Sequence, residues 1–293
     1  MKGRFIKYLR FEKRLSENTV ISYETDLNQF LSFYKEYSTS QKIEKVDKRT
    51  IRSWIVKLSL NNLSAKSINR KIASLKSFFK FLVKRDLIKK NPSSHVTSLK
   101  TDQKIPTFIK EKDINFLFKN IDVKEDCTGQ RDLLILELLY GTGIRISELI
   151  NIKISDINFA KKEIKVVGKR NKERIIPLHN NAIYQTKKYL QLAEKEGYKN
   201  QYLLITKKGE KIYPMLINRI VKKHLSTLIK SKKYNPHLLR HTFATHMLNN
   251  GADINTIKEI LGHASLSSTQ IYTKIKLPKI VSDYNKSHPR EID

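Results

Sequence analysis

One stretch of the chain gathers side chains that could bind an anion and attack it. His237 and Arg240 are three residues apart, and His263 and Tyr272 follow them. Arginine binds phosphate oxygens through its planar guanidinium, and a tyrosine hydroxyl is a nucleophile only where its phenolate is favoured. Each of these residues alone also fits a solvated helix face, so their placement has to decide between the two interpretations.

The surrounding pattern predicts two helices that place these residues. Asn235 is typical of an N-cap, so His237 and Arg240 should share one face of the helix that starts there. A second helix ends at Gly262, which directly precedes His263. Both helices carry an apolar stripe, formed by Leu239, Phe243 and Met247 in the first and by Ile254, Ile257 and Leu261 in the second.

An arginine further upstream stands where an anion would explain it. In GTGIRISELINI, Gly141 and Gly143 end an apolar helix, and Arg145 enters the next one just before Ile146 and Leu149. The first turn of a helix prefers negative charge, so a surface arginine there is electrostatically unfavourable. It becomes favourable if a phosphate binds at the same place.

A basic hairpin follows. Apolar residues alternate on both sides of a five-residue polar turn in EIKVVGKRNKERIIPL, which is typical of two antiparallel strands. The turn carries Lys169, Arg170 and Lys172. Such a tip is usually only solvated, and it is also a candidate contact to a polyanion.

These segments together resemble one family. HLLRHTFATHML and LGHASLSSTQIYT resemble the C-terminal signature of the tyrosine recombinases, the lambda-integrase-like family, and GTGIRISELINI resembles their first arginine motif. Lys169, directly after Gly168, matches the family's hairpin lysine, with Lys172 as the alternative. The ending DYNKSHPREID resembles that of the Xer site-specific recombinases, which resolve chromosome dimers. The six family positions correspond to Arg145, Lys169, His237, Arg240, His263 and Tyr272.

The resemblance implies a nucleophile and a set of charge-stabilising groups. Tyr272 would attack the scissile phosphate, forming a 3′-phosphotyrosine and releasing a 5′-hydroxyl. Arg145 and Arg240 would bind the non-bridging oxygens and offset the charge that grows in the transition state. His263 would donate a hydrogen bond to the same group.

The resemblance also implies the proton transfers. His237 would assist proton transfer near the nucleophile, and Lys169 would protonate the leaving 5′-oxygen as general acid. Cationic side chains would do the work that Mg²⁺ does in other phosphoryl-transfer enzymes, so neither a metal nor a cofactor is implied. Because the phosphotyrosine keeps the bond energy, rejoining would need no ATP.

The composition favours a nucleic-acid partner. The chain has 58 Lys and Arg against 28 Asp and Glu, a net charge of +30. The charge is evenly divided, since residues 1–104 carry 24 − 9 = +15 and the remainder carries 34 − 19 = +15. Such a field favours a polyanion, with DNA or RNA as the first candidate. A solubilising Lys-rich surface is the alternative.

The first part of the chain predicts a small helical bundle. Helices are expected near Phe5 and after Ser16, Asp47 and Ser64, and their order resembles the SAM-like core-binding domain of the recombinases. The fourth helix has an apolar face and a basic remainder. We predict DNA phosphate contacts at Lys66, Arg70, Lys71 and Lys76, together with Arg170 and Lys172 of the hairpin.

The whole chain predicts a mainly α fold with a small β-sheet, in two domains. The polar segment between Pro92 and Pro106 is typical of a linker, which would let two basic domains close around a duplex. We expect a helical core-binding domain over 1–90, a linker over 91–106, and a mixed α/β catalytic domain over 107–293 that ends in an exchange tail.

Several partners follow from the resemblance. They are double-stranded DNA with a specific recombination site, further copies of this chain or a paralogous recombinase in a cyclic tetramer, and a DNA translocase or other accessory factor. Ile280, Val281 and Tyr284 suggest a short apolar stripe after Tyr272. In the family this tail docks on the neighbouring protomer, and packing on its own domain is the alternative.

Three other functions fit less of the chain. An integrase of a mobile element shares the six residues but usually carries an additional N-terminal arm domain. A type IB topoisomerase is disfavoured by the separate helical N-terminal region. A non-catalytic DNA-binding regulator is disfavoured by the intact six positions.

The remaining sequence signals concern compartment. Cys127 is the only cysteine, so neither a disulfide framework nor a cysteine-based metal site is predicted. We find no signal-peptide pattern and no apolar run long enough to cross a bilayer. We therefore expect a cytoplasmic protein.

The charge makes a prediction about salt. If binding depends on about six or more phosphate contacts, affinity for DNA should fall by roughly 10³ or more between about 50 and 200 mM salt, because each contact releases counterions. A gel-shift or anisotropy titration measures this. A nearly flat response would mean that the charge mainly serves solubility.

Overall fold

The structure, a computed structural model, forms two compact units, Met1–Lys104 and Ile105–Asp293. It describes residues 1–38, 40, 42–101, 107–168, 171–228, 234–262 and 273–290, with only the backbone described for 273–279. Four of the predicted site residues, Lys169, Arg170, His263 and Tyr272, lie outside the described residues.

The N-terminal unit is a helical bundle, as predicted. Its main helices are α1 (Lys2–Lys7), α2 (Glu17–Tyr37), α3 (Lys48–Leu60) and α4 (Ala65–Lys84), with a π-helical turn at Tyr8–Glu12 and a 3₁₀ turn at Ile43–Lys45. The N-caps of α2, α3 and α4 are the predicted Ser16, Asp47 and Ser64. The Asp47 carboxylate accepts a hydrogen bond from the Thr50 amide at 2.8 Å, which satisfies a helix N–H that has no partner inside the helix.

Helix α4 buries one residue that we predicted to contact DNA. Lys71 is 4% exposed, and its ammonium donates to Asp26 at 2.9 Å and to Gln29. The carboxylate of Asp26 is itself fully buried and also accepts from Arg70 and from Ser74. Lys71 is therefore not free to reach a phosphate here, and its prediction as a DNA contact is corrected. Its ammonium compensates a buried carboxylate instead.

The other predicted contacts on this helix have different surroundings. Lys66 and Arg70 are exposed and Lys76 is partly buried. Arg70 faces solvent while it also pairs with Asp26. These three remain candidates for phosphate contacts.

The C-terminal unit is mainly helical and has a small antiparallel sheet, which confirms the predicted fold class. Its sheet has the order β1-β2-β3, and β2 and β3 form the predicted hairpin with Ile164 opposite Ile176 and Val166 opposite Arg174. The strand β1 is too short to show an alternating pattern in the sequence. The elements are α5 (Glu111–Asn120), α6 (Cys127–Thr142), α7 (Ile146–Leu149), β1 (Ile157–Asn158), β2 (Glu163–Val167), β3 (Glu173–Pro177), α8 (Asn180–Lys195), α9 (Pro214–Leu228), α10 (Pro236–Asn249), α11 (Ile254–Leu261) and α12 (Thr273–Ser287).

Helix α6 is the centre of this unit. It is buried over nearly its whole length and packs on α8 and α10. It ends at Gly143, whose positive φ of 59° suits glycine, and a Cβ there would lie 2.6 Å from the ring of Phe243 on α10. The close approach of α6 to α10 therefore requires a glycine at this position.

The described C-terminal residues pack on their own unit. Tyr284 is fully buried and donates a hydrogen bond to the Gly141 carbonyl at 2.6 Å. His288 is fully buried and stacks on Tyr284, while Arg290 pairs with the buried Glu137 at 2.7 Å. This is the alternative we gave for the tail, and docking on a neighbouring protomer stays a proposal.

None of the helices in the described ranges combines the length and apolarity that a bilayer crossing requires.

The Asp26 network makes a prediction about stability. Asp26→Ala should lower the free energy of unfolding of the N-terminal unit by about 3–5 kcal/mol, because it leaves the Lys71 ammonium buried without its counterion. Urea denaturation followed by circular dichroism measures this. Glu36→Ala breaks an exposed pair with Lys57 and should cost less than about 1 kcal/mol. Equal losses would show that the buried pair is no more important than the exposed one.

Candidate active site

Arg145 occupies the N-cap of the short helix α7. Its amide donates to the Glu148 carboxylate at 2.9 Å, and its Nη1 donates to the other oxygen of the same carboxylate at 2.9 Å. The Arg145 side chain is 25% exposed while that of Glu148 is 3% exposed. The arginine is thus set against the core with one side still open, as its position between Gly143 and Ile146 predicted.

Arg240 lies one turn after His237 on α10, and the two differ in burial. His237 is exposed, whereas Arg240 is 8% exposed. Arg240 donates to the carbonyl of Gly143 and, through Nη2, to that of Leu261 at 2.7 Å. Burial, and next the neighbouring charge of Arg145, lowers the pKa of Arg240 to about 10, so it keeps its charge at neutral pH.

A third arginine, which the sequence did not reveal, completes the group. Arg174 of β3 donates through Nη1 and Nη2 to the two oxygens of Glu148 at 3.0 and 2.9 Å. Its Nε donates to the Ile260 carbonyl at 2.7 Å. In the sequence Arg174 follows a run of polar residues that resembles an ordinary solvated hairpin. The alternation of residues along the hairpin was the available signal, because it places Arg174 opposite Val166, which is buried.

The C-terminal end of α11 joins these arginines. Three consecutive carbonyls, of Ile260, Leu261 and Gly262, accept from Arg174, Arg240 and Arg145 at 2.7, 2.7 and 3.2 Å. The last carbonyls of a helix have no partner within it and carry partial negative charge, so guanidinium groups stabilise them. Gly262 adopts a positive φ of 63°, and a Cβ there would lie 2.9 Å from Arg174.

The charges of this group do not balance. Among the residues that the structure describes here, three guanidinium charges and the one carboxylate of Glu148 leave 3 − 1 = +2. Burial alone would raise the pKa of Glu148, but the hydrogen bonds from Arg174 and Arg145 outweigh it and hold that pKa below its usual value. The carboxylate is therefore ionised at neutral pH. A partly buried site with excess positive charge is suited to binding an anion.

Two of the predicted site residues, Lys169 and His263, directly follow glycines that lie beside the three arginines and Glu148. Gly168, which precedes Lys169, lies so close that its Cβ would be 3.3 Å from Glu148, and its amide donates to the Lys172 carbonyl at 2.8 Å. Lys172 itself is exposed. Gly262 immediately precedes His263, while the positions of Lys169, Arg170, His263 and Tyr272 are outside the described residues. The structure thus brings Arg145 and Arg240 together and adds Arg174.

The described ranges contain no group of three His, Cys, Asp or Glu side chains arranged to hold a metal ion.

The chain is similar to known proteins in both of its units. Residues 107–277 match the phage integrase family, and residues 3–86 match the phage integrase N-terminal SAM-like domain. The tyrosine recombinase XerC of Oceanobacillus iheyensis is 38% identical over 291 residues, covering 98% of this chain and 95% of that protein. XerC of Chlorobaculum parvum is 36% identical over 313 residues, covering 97% and 93%. The chain belongs to the tyrosine recombinase family. It is therefore a DNA-cleaving and rejoining enzyme, a site-specific recombinase.

Solved structures share the fold. The XerH recombinase bound to a palindromic difH substrate superposes with a TM-score of 0.71 at 21% identity, covering 97% of this chain and 94% of that one. The Tn1549 transposon integrase in complex with a circular intermediate DNA gives a TM-score of 0.70 at 21% identity, covering 95% and 98%. The predicted combination of a SAM-like helical domain and a mixed α/β catalytic domain is thereby confirmed.

The excess positive charge can be tested without DNA. Glu148→Ala should lower the free energy of unfolding by about 3–5 kcal/mol, because the guanidinium groups of Arg145 and Arg174 lose their shared counterion. Added phosphate should restore part of that loss by taking the place of the carboxylate. Urea denaturation with and without phosphate is the measurement. Glu173→Ala, which removes an exposed carboxylate of the β2–β3 hairpin, is the matched control. An identical phosphate response in both variants would contradict an anion site at the arginines.

Proposed function

We propose that this recombinase cuts and rejoins double-stranded DNA at a specific site through a 3′-phosphotyrosine formed by Tyr272. The observation that carries the proposal is the group of arginines at the end of α11, where an excess charge of +2 is partly open to solvent. A phosphodiester is the anion that a recombinase of this family must bind at its reacting centre. Tyr272 precedes the first residue of α12 in the chain.

The arginines are proposed to stabilise the transition state. Arg145 and Arg240 are fixed by Glu148 and by backbone carbonyls, so they would need little reorganisation when charge grows on the non-bridging oxygens. His263, which follows the Gly262 carbonyl held by Arg145, would donate a further hydrogen bond. His237, exposed on α10, would assist proton transfer near the nucleophile.

The leaving oxygen needs a proton, and the hairpin turn is proposed to supply it. Lys169 would protonate the 5′-oxygen as general acid, with Lys172 as the alternative. The turn begins at Gly168, which lies beside Glu148, so the turn starts next to the arginines. No metal or cofactor takes part in this proposal, since cationic side chains stabilise the charge.

DNA binding outside the site is proposed to use basic side chains of both units. In the N-terminal unit, exposed Lys66 and Arg70 and partly buried Lys76 would contact phosphates. In the C-terminal unit, Arg170 and Lys172 would do so from the hairpin turn. Because the substrate is DNA, the protein would act in the cytoplasm.

The biological role that we favour is chromosome-dimer resolution. XerC proteins of several bacteria are 36–38% identical to this chain over nearly its full length, whereas the Tn1549 transposon integrase is 21% identical. Integration of a mobile element is therefore the second candidate. The partners would be further copies of this chain or a paralogous recombinase in a cyclic tetramer, with a DNA translocase or another accessory factor. The tail would then exchange its present contacts on Gly141 and Glu137 for contacts on a neighbour.

The nucleophile can be identified directly. Tyr272→Phe should still bind DNA but form no covalent complex, because it lacks the attacking oxygen. A substrate nicked near the cleavage position, which traps the phosphotyrosine, is resolved on a denaturing gel. Tyr213→Phe removes an exposed hydroxyl elsewhere in the chain and should still form the complex. A covalent band from Tyr272→Phe would place the nucleophile at another residue, with Tyr234 and Tyr213 the first to test.

The general acid has its own signature. Lys169→Ala should cleave an ordinary site slowly and be rescued by a 5′-bridging phosphorothiolate, because sulfur leaves without needing a proton. Single-turnover cleavage rates on both substrates are compared. Rescue of Lys172→Ala in place of Lys169→Ala would assign the role to the other lysine.

A further inference from the structure

Arg174 is not one of the six family positions, yet it contacts the described segments that form the site. It donates to both oxygens of Glu148 and to the Ile260 carbonyl. Its guanidinium lies where a Cβ on Gly262 would be 2.9 Å away and one on Gly168 would be 3.5 Å away. All three nitrogens of its fork are therefore used inside the site, and its side chain is 14% exposed.

The hydrogen bonds around Glu148 indicate which arginine neutralises its carboxylate. Each carboxylate oxygen accepts one hydrogen bond from the Arg174 fork and one from Arg145. The contact of Arg174 is bidentate, which is the strongest arrangement between these two groups. The Arg145 side chain reaches the carboxylate through Nη1 only and uses Nη2 for the Gly262 carbonyl. The positive charge of Arg174 alone is thus enough to neutralise the Glu148 carboxylate, without the charge of Arg145.

We propose that Arg174 is a positioning residue that neutralises Glu148 and thereby keeps the charges of Arg145 and Arg240 available to the scissile phosphate. Without Arg174 the local charge would fall from +2 to +1, and Glu148 would draw on Arg145. The inference rests on the proposed function, because it names the phosphate as the anion.

The hairpin itself does not need this guanidinium. Strand β3 is held to β2 along its whole length, and Ile164 and Ile176 are buried in the core between the strands and the helices. If residue 174 only had to cover that core, an apolar side chain would be sufficient and a planar guanidinium group would not be needed. Lysine would preserve the charge at this position but could not bind both oxygens of Glu148 at once.

The test compares two scissile linkages in one DNA site. A methylphosphonate lacks the negative charge of the ordinary phosphodiester, so a defect caused by lost positive charge should shrink on it. Arg174→Met should slow single-turnover cleavage of the diester by about 10²-fold or more. On the methylphosphonate, Arg174→Met should slow cleavage by less than about tenfold. This linkage has no negative charge, so it depends less on the positive charge of the arginines. Arg174→Lys should fall between wild type and Arg174→Met on the diester.

Lys165→Met is the matched control. It removes one positive charge from the same hairpin, where Lys165 is exposed and only loosely paired with Asp156 and Glu173. Its cleavage rates should stay near wild type on both linkages, and its DNA affinity should change by as much as that of Arg174→Met. Equal loss on both linkages for Arg174→Met, or a rate equal to that of Lys165→Met, would overturn the assignment. If Arg174→Met does not fold, Arg174→Gln, which also removes the charge but keeps a hydrogen-bond donor, carries the same comparison.

Failure of the proposed function gives a different result. A wild-type protein that forms no covalent complex on the diester would refute that function, and the charge assignment would then be decided by inorganic phosphate alone. Phosphate should raise the unfolding temperature of wild type and Lys165→Met more than that of Arg174→Met. Equal shifts in all three proteins would overturn the assignment.

Discussion

The site depends on one electrostatic constraint, which is that three guanidinium groups converge on the end of a single helix. Like charges at this distance repel, and the structure offsets the repulsion with the Glu148 carboxylate and with the last carbonyls of α11. Each arginine comes from a different element, α7, β3 or α10, so the contacts also fix these elements relative to α11. The offset is incomplete, and a bound phosphodiester, with its single negative charge, would lower the excess from +2 to +1.

Two glycines make that convergence possible. Gly143 lets α6 end against Phe243 and turns the chain into Arg145, while its carbonyl also receives Arg240. Gly262 ends α11 in a left-handed conformation that brings its backbone to Arg174. A side chain at either position would meet atoms closer than 3.0 Å, so the arginines could not keep these partners. Glycine is thus required in the sequences GTG and LGH both because of its positive φ and because a side chain would not fit.

Local patterns predicted most of the fold, and interactions between distant residues explain what they missed. N-caps at Ser16, Asp47, Ser64 and Asn235 were readable because capping is decided within a few residues. Lys71 was misassigned because its counterion, Asp26, lies on another helix and cannot be inferred from the spacing of α4. Arg174 was missed for the same reason, since its partners are Glu148 and Ile260. The roles of Lys169, His263 and Tyr272 stay predictions.

The balance of counterions, more than burial, distinguishes the arginines at α11 from the other buried cations that the structure describes. In a protein with a net charge of +30, an exposed lysine says little about function because water already stabilises it. A buried cation needs a counterion, and Lys71 and Arg290 have theirs in Asp26 and Glu137. The three arginines at α11 are also largely buried, yet within the described part of the site they have one carboxylate, that of Glu148, between them. Folding needs hydrogen-bond donors at the α11 carbonyls, but it gives no reason to supply them with three full charges against one carboxylate. Binding an anion at this place does give a reason, which is why the deficit of negative charge, more than the number of basic residues, marks this group as the candidate active site.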